Sequence, residues 1–164
     1  MIREACIYAL KRLPEEEQRP YGIRVLTMRR WPRGVRRKDI DLWVPSAGPS
    51  VELLAALHTG QMTWDLFLAR YAQEQERQRR CHVITYEQGG PLPRDYTCSS
   101  LDHLSRLECE RGIVTVLCWE PNARCHRFLL KSLLEQPSAE LGAARYLQEE
   151  SSSLSRCGPG KGGE

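Results

Sequence analysis

The stretch IVTVLCWEPNARCHRFLLKSLLEQ, residues 113–136, decides the fold because it places an apolar strand directly before a helix. Its first seven residues are rich in Ile, Val and Leu, as in a strand buried inside a sheet. Residues 123–136 are predicted to form the helix. The junction between the two carries an unusual set of reactive and charged side chains: Cys118, Glu120, Arg124, Cys125, His126 and Arg127. Turn-forming residues would suffice for structure alone, so this composition points to a chemical role.

Two more strands are predicted near the amino terminus. EACIYAL (residues 4–10) and GIRVLTM (residues 22–28) are short runs rich in apolar residues, and they are expected to be neighbours in one sheet. Residues 35–48 are predicted to be irregular or a short helix. Residues 81–98 contain Gly-Gly-Pro-Leu-Pro, which predicts a loop excursion with a short strand at 82–86.

Capping residues predict three further helices. Ser50, Thr63, and either Ser99 or Ser100 precede segments of helical periodicity, and Gly112 is typical of a helix end. The first of these helices has four residues on one face: Val51, Leu54, Leu57 and His58. The alternation of strands and helices predicts the α/β class, a single domain with a mostly parallel sheet flanked by helices.

Length and composition predict one domain. The 164 residues, of which 41% are hydrophobic, suffice for a single core. Residues 1–136 are expected to form the compact α/β domain, and residues 137–164 a C-terminal extension with a helix remnant and then a disordered tail rich in Ser and Gly.

The number of cysteines, seven, is odd, and the first residues lack a secretory apolar run, which predicts a reduced, cytoplasmic protein. No apolar stretch approaches the length of about 20 residues that a bilayer requires.

Six cations lie within residues 29–38, whereas the whole chain has a net charge of only +3. Such a local patch indicates an anionic partner. One interpretation is nucleic-acid binding through phosphate contacts, with Trp31 as a stacking surface. The other is a solvated loop with Trp31 packed on the domain.

In a parallel sheet, this basic segment and the 118–127 junction each follow a strand and should meet at the same edge. That edge is the candidate site. Its expected members are, as reactive groups, Cys118, Glu120, Cys125 and His126, and, as ligand-binding groups, Arg29, Trp31, Arg33, Arg124 and Arg127.

Several motifs resemble a bacterial and archaeal family labelled domain of unknown function 488. They are WPRG at residues 31–34, PS-x-EL at 49–53, C-x-E at 118–120 and CHR at 125–127. The resemblance covers roughly residues 1–135. It implies a compact α/β domain and carries no agreed activity with it.

The thiols allow several chemistries. Cys118 and Arg124 have the spacing of the phosphate-binding loops of thiol phosphatases, but Pro121 removes one backbone donor from such a loop. Cys118 could equally be a small apolar strand residue. Cys118, Cys125 and His126 are residue types that bind zinc or iron, yet the gap between the cysteines matches no common zinc knuckle, so no metal site is predicted. A redox pair of Cys118 and Cys125 also stays open.

These residues lead to two functional hypotheses. The first is a thiol-assisted transferase or hydrolase for a small anionic substrate, with Cys118 or Cys125 as nucleophile and His126 or Glu120 as proton carrier. The second is a non-catalytic nucleotide or nucleic-acid binding module using residues 29–38. A salt-bridge network without a ligand, with Glu120 folding back as an internal counter-ion, would also explain the arginines. The residues name no cofactor. Of the two thiols, Cys125 is expected to be reactive, because it lies at a helix start, and Cys118 to be shielded.

Overall fold

One mixed sheet organises the protein. The structure is a computed structural model that describes residues 1–87, 90–121 and 124–135. The strands are β1 (Ile2–Cys6), β2 (Ile23–Leu26), β3 (Leu42–Trp43), β4 (Cys81–Glu87), β5 (Gly90–Tyr96) and β6 (Val114–Cys118). Their order across the sheet is β1-β6-β2-β3-β4-β5.

Three of the five pairings between these described strands are parallel: β1 with β6, β6 with β2, and β2 with β3. The pairings of β3 with β4 and of β4 with β5 are antiparallel. The prediction of an α/β domain with a mostly parallel sheet is therefore confirmed, with an antiparallel hairpin at one edge. The prediction that the first two strands are neighbours is wrong, because β6 lies between them. All five residues of β6 are buried, which suits a strand in the interior of a sheet.

The helices are α1 (Ile7–Leu10), α2 (Glu15–Gln18), α3 (Val51–His58), α4 (Trp64–Arg77), α5 (Ser100–Arg111) and α6 (His126–Glu135). The predicted caps are confirmed, because the Ser50, Thr63 and Ser99 side chains each accept a hydrogen bond from an amide in the first turn. Gly112 ends α5 with a positive φ of 82°. The predicted strand at residues 4–10 stops at Cys6, where α1 begins.

The hairpin was not predicted from the sequence. Residues 90–96 form β5 rather than a loop, and Pro91 and Pro93 are tolerated there because β5 is at the edge of the sheet, where an amide donor can be missing. Residues 35–48 contain the short strand β3 between two 3-10 turns, Arg37–Asp39 and Pro45–Ala47.

Apolar clusters cover both faces of the sheet. Alternate residues of a strand point to opposite faces, and accordingly Val25 and Val116 belong to one cluster while Leu26 and Leu117 belong to the other. The larger cluster includes residues of α3, α4, α5 and α6, and the smaller one includes residues of α1. None of the described helices is long and apolar enough to cross a membrane. The predicted extension at residues 137–164 lies outside the described residues.

Candidate functional site

The carboxyl ends of β2 and β6 lie side by side. Thr27 follows β2, and its amide and hydroxyl donate to the Leu117 carbonyl oxygen at 3.0 Å and 3.1 Å. The segments that leave these strands enclose a cleft of about 400 Å³ together with α3 and α4. Six members of the predicted set line it: Arg29, Cys118, Glu120, Arg124, Cys125 and His126.

A buried cluster of two thiols and an imidazole forms part of the cleft lining. Cys118 ends β6, Cys125 immediately precedes α6, and His126 is the first residue of α6. Their possible ligand atoms all lie within 4.8 Å of one another. The two cysteines are 2% and 3% exposed. Folding thus brings together two thiols that are seven positions apart in the chain.

The orientation of His126 is set by its backbone partner. Its Nε2 lies 2.8 Å from the Thr27 carbonyl oxygen. Because a carbonyl can only accept, Nε2 carries the hydrogen, and in the neutral ring Nδ1 keeps its lone pair. Nδ1 faces the thiols, at 3.9 Å from Cys118 Sγ and 4.0 Å from Cys125 Sγ. The Tyr71 ring packs edge-on against the imidazole with a centroid distance of 5.5 Å, which further fixes the ring.

The two thiols are electrostatically unequal. The hydrogen bond from Cys118 lowers the pKa of Cys125 well below its usual value, and His126 adds to this effect while burial opposes it. The same thiol–thiol hydrogen bond, together with burial, raises the pKa of Cys118. Of the pair, Cys125 is therefore the one that ionises. The Arg127 amide in the first turn of α6 also lowers the pKa of Cys125, but it contributes less than the neighbouring thiol, which the sequence-based argument did not include.

Arginine side chains from both strand ends provide positive charge to the cleft. Arg29 donates from Nε to the Pro49 carbonyl at 3.1 Å and from Nη2 to the Gly48 carbonyl at 2.8 Å. A Cβ at Gly48 would lie 2.5 Å from the Arg29 amide nitrogen. Only glycine therefore lets the backbone at residue 48 come this close to the backbone at Arg29. Arg30 and Arg124 are exposed and also line the cleft. Among its described lining side chains, three guanidinium groups face one carboxylate, that of Glu120.

The opposite wall of the cleft is apolar. Val51, Leu54 and Leu57 of α3 line it, together with Trp64 and Phe67 of α4. The four residues that the sequence periodicity placed on one face of α3 all line the cleft. The buried residue of α3 is Leu53, and Val51 is 46% exposed.

Arg127 does not line the cleft. Its Nε donates to Glu4 Oε2 at 2.6 Å, and its Nη1 donates to the Glu120 carbonyl oxygen. Burial is the largest single influence and disfavours the guanidinium charge, but the hydrogen bond to Glu4 and the attraction to Cys125 and Glu4 together outweigh it, so the pKa of Arg127 is raised. The guanidinium also lies 4.4 Å from the centre of the Phe128 ring. Arg127 thus ties α6 to β1, the arrangement that the salt-bridge interpretation anticipated, with Glu4 rather than Glu120 as the counter-ion.

Trp31 and Arg33 also lie away from the cleft. The Trp31 ring makes edge contacts with Trp43 and Tyr86 at 5.4 Å and 5.5 Å between centroids. Its Nε1 donates to the Val35 carbonyl oxygen at 2.9 Å. Trp31 therefore packs on the domain, and the arrangement favours the solvated-loop interpretation of residues 29–38 over a base-stacking platform.

Several cleft residues were missed by the sequence reasoning. Arg30 and His58 line the cleft, as do the apolar residues of α4. Arg30 could have been found from its position beside Arg29. The α4 residues could not, because an apolar helix face gives the same periodicity whether it borders a cleft or a core.

Comparison with known proteins identifies the family. A family profile described as "Inactive DUF488-N3 subclade" matches residues 7–89. The chain belongs to this DUF488-N3 subclade. The match confirms the resemblance to the DUF488 family noted from the sequence. It covers Arg29, the basic segment, α3, α4 and all of β4, and it ends before β6 and the thiol cluster.

Proteins that are similar to this DUF488-N3 protein in sequence include two uncharacterized bacterial proteins. Uncharacterized protein YeaO of Escherichia coli is 32% identical over 96 residues, which are 55% of this chain and 82% of YeaO. Uncharacterized protein Rv3073c of Mycobacterium tuberculosis is 34% identical over 76 residues, which are 45% of this chain and 64% of Rv3073c. No solved structure matches the chain at a significant level.

Proposed function

We propose that this DUF488-N3 protein binds a small organic anion in the cleft without turning it over. The observation that carries the proposal is the division of the cleft into a cationic side and an apolar wall. The segments that follow β2 and β6 supply Arg29, Arg30 and Arg124, and α3 and α4 supply the apolar residues. A ligand that satisfies both sides has an anionic group and an apolar body.

The size of the cleft supports a small-molecule ligand. Its volume of about 400 Å³ falls in the range of sites that hold such ligands. Guanidinium groups bind phosphate and carboxylate oxygens through charge-assisted hydrogen bonds. The ligand class is therefore an aryl or alkyl phosphate or carboxylate, rather than an extended nucleic acid.

Binding is favoured over thiol-assisted transfer or hydrolysis by two observations. Both thiols are almost fully buried, at 2% and 3% exposure, and each lies about 4 Å from His126 Nδ1. The matched subclade is described as inactive. The rival hypothesis is catalytic, with Glu120 or His126 as proton carrier and Cys118 or Cys125 as nucleophile. The experiment below separates catalysis from binding.

Phenyl phosphate is a suitable probe, because it combines the two features. Binding can be followed by calorimetry and by the fluorescence of Trp119, which is 45% exposed and lines the cleft. Replacing Arg124→Gln should weaken phenyl phosphate about tenfold, the effect of losing one charge-assisted hydrogen bond. The matched control is Arg33→Gln, which removes a charge from the same basic segment as Arg29 but outside the cleft and should leave affinity unchanged.

Three results would contradict the proposal. The first is equal weakening by Arg124→Gln and Arg33→Gln, which would indicate nonspecific attraction to the basic surface. The second is binding of inorganic phosphate as tight as that of phenyl phosphate, which would remove the role of the apolar wall. The third is release of phenol that depends on Cys118 or Cys125, which would show turnover and support the catalytic hypothesis.

A further inference from the structure

The cluster of Cys118, Cys125 and His126 has the composition of a metal site. Thiolate sulfur and imidazole nitrogen are the ligands that zinc prefers in tetrahedral protein sites. All three residues are buried, and their ligand atoms lie within 4.8 Å of one another. The spacing in the sequence had argued against a metal, because common zinc motifs bring their cysteines from one short turn. Here one cysteine comes from the end of a strand and the other from the start of a helix.

The His126 ring already has the arrangement of a metal ligand. Its Nε2 hydrogen is directed to the Thr27 carbonyl oxygen at 2.8 Å, and Nδ1 faces both sulfurs. A histidine that binds metal through one nitrogen usually donates the other N–H to a carbonyl or carboxylate, which fixes the ring and its tautomer. The Thr27 carbonyl occupies that place. Tyr71, whose hydroxyl donates to the Ala47 carbonyl at 2.6 Å, supports the ring from the side.

The distances between the ligand atoms are close to those that zinc needs. A tetrahedral ion with Zn–S of about 2.3 Å and Zn–N of about 2.0 Å requires S···N separations of about 3.5 Å. The separations from His126 Nδ1 are 3.9 Å to Cys118 Sγ and 4.0 Å to Cys125 Sγ. The two sulfurs lie within 4.8 Å of each other, and tetrahedral zinc requires about 3.8 Å between them. Closing the S···N separations by about half an ångström and the S···S separation by up to about 1 Å is within reach of side-chain rotation.

We propose that Cys118, Cys125 and His126 bind one zinc ion at the base of the cleft. Two thiolates and a neutral imidazole balance the charge of Zn²⁺, so the buried complex is neutral. Three protein ligands leave the fourth position of the tetrahedron for a water or ligand oxygen. Because all three side chains line the cleft, that position faces its interior. The zinc site itself does not depend on the proposed anion binding. Only the binding of an anion oxygen at the fourth position rests on the proposed function.

Cobalt provides the direct test. The reduced full-length chain, with Cys157→Ser to remove the cysteine outside the described residues, is titrated with Co²⁺ under argon. We expect one ion per chain, the sulfur-to-cobalt charge-transfer band, the intense visible bands of tetrahedral Co²⁺, and their loss when Zn²⁺ is added. Losing a residue that only supports a metal ligand costs up to about a hundredfold in metal affinity. Losing a ligand itself should cost more, so we expect cobalt binding to weaken by more than about a hundredfold in each of Cys118→Ser, Cys125→Ser and His126→Gln.

The control variant is Cys109→Ser, which removes an exposed thiol on α5 and should keep the cobalt spectrum. A second measurement does not depend on variants that fold poorly. In the wild-type chain, Zn²⁺ should slow alkylation of Cys118 and Cys125, mapped by mass spectrometry, and leave Cys109 unaffected. Three results would each overturn the zinc site. A folded wild-type chain could lack the tetrahedral cobalt spectrum, or both site-cysteine variants could retain it. Zinc could also leave the alkylation rates of Cys118 and Cys125 unchanged.

Arg124→Gln separates this inference from the proposed function. That variant should take up cobalt like the wild type while it loses affinity for phenyl phosphate. Cobalt binding by the wild-type chain without any phenyl phosphate binding by that chain would refute the anion proposal and support the zinc site. A Cys118–Cys125 disulfide in the isolated protein, with no metal taken up after reduction, would refute the zinc site and leave the anion proposal untouched.

Discussion

Arg127 and Arg124 lie three positions apart, and the structure predicts opposite consequences for their replacement. Arg127 is 4% exposed and pairs with Glu4 at 2.6 Å, whereas Arg124 is exposed at the cleft. Arg127→Met should therefore reduce stability and leave ligand affinity intact in the fraction that is folded. Arg124→Gln should reduce affinity and leave stability intact.

The size of the Arg127 effect follows from its surroundings. Breaking a buried ion pair from one side costs about 3–5 kcal/mol. Glu4 is 26% exposed, and water can partly solvate its carboxylate once Arg127 is gone, which reduces the cost. The methionine also loses the contact of the guanidinium with the Phe128 ring, worth about 1 kcal/mol. We expect Arg127→Met to lower the free energy of unfolding by about 3 kcal/mol, equivalent to a drop of about 10 °C in the unfolding midpoint.

Urea denaturation followed by circular dichroism measures this loss, and a double-mutant cycle assigns it. Glu4→Gln alone should cost less than Arg127→Met, since the amide oxygen can still accept from the guanidinium. Glu4→Leu combined with Arg127→Met should be less destabilising than the sum of the two single changes, because no charge is then left without a partner. A loss below about 0.5 kcal/mol for Arg127→Met, together with abolished phenyl phosphate binding, would refute the reasoning. Arg127 would then belong to the ligand site.

Other regions yield further predictions. Gly48→Ala should lower the free energy of unfolding by about 1–3 kcal/mol in urea denaturation, because its Cβ would lie 2.5 Å from the Arg29 amide nitrogen; an unchanged midpoint would show that the turn can move. Leu54→Ala should weaken phenyl phosphate about threefold to tenfold in calorimetry, with no effect on inorganic phosphate; equal weakening of both would argue against an apolar contact. Any affinity for nucleic acid should fall about tenfold or more between roughly 50 and 200 mM salt and require Arg36, Arg37 and Lys38, and binding that is insensitive to salt would contradict an electrostatic origin.

Local chemistry explains which elements could be predicted from the sequence. Ser50, Thr63 and Ser99 cap helices by hydrogen bonds to amides within one turn, and these bonds require no distant residue. Gly112 ends α5 for an equally local reason, its positive φ. The apolar run of β6 indicated a buried strand, which is what the structure contains.

Strand pairing depends on residues far apart in the chain, and there the sequence was insufficient. Nothing in residues 4–10 shows that β6 rather than β2 would be the neighbour of β1. The hairpin was missed because its prolines forbid a central strand, and only the order of the sheet shows that β5 is at an edge.

For the candidate site, the sequence by itself indicated that the segments after β2 and β6 would meet, because parallel strands carry their carboxyl ends to one edge. The tertiary structure decided what each group does there. Arg127 and Arg124 are alike in sequence, yet one is buried against Glu4 and the other borders the cleft. The two thiols and the imidazole of the proposed zinc site come together because the start of α6 lies beside the end of β6, with Thr27 of the neighbouring strand end orienting the ring. Their approach depends on distances in space, which spacing along the chain does not encode.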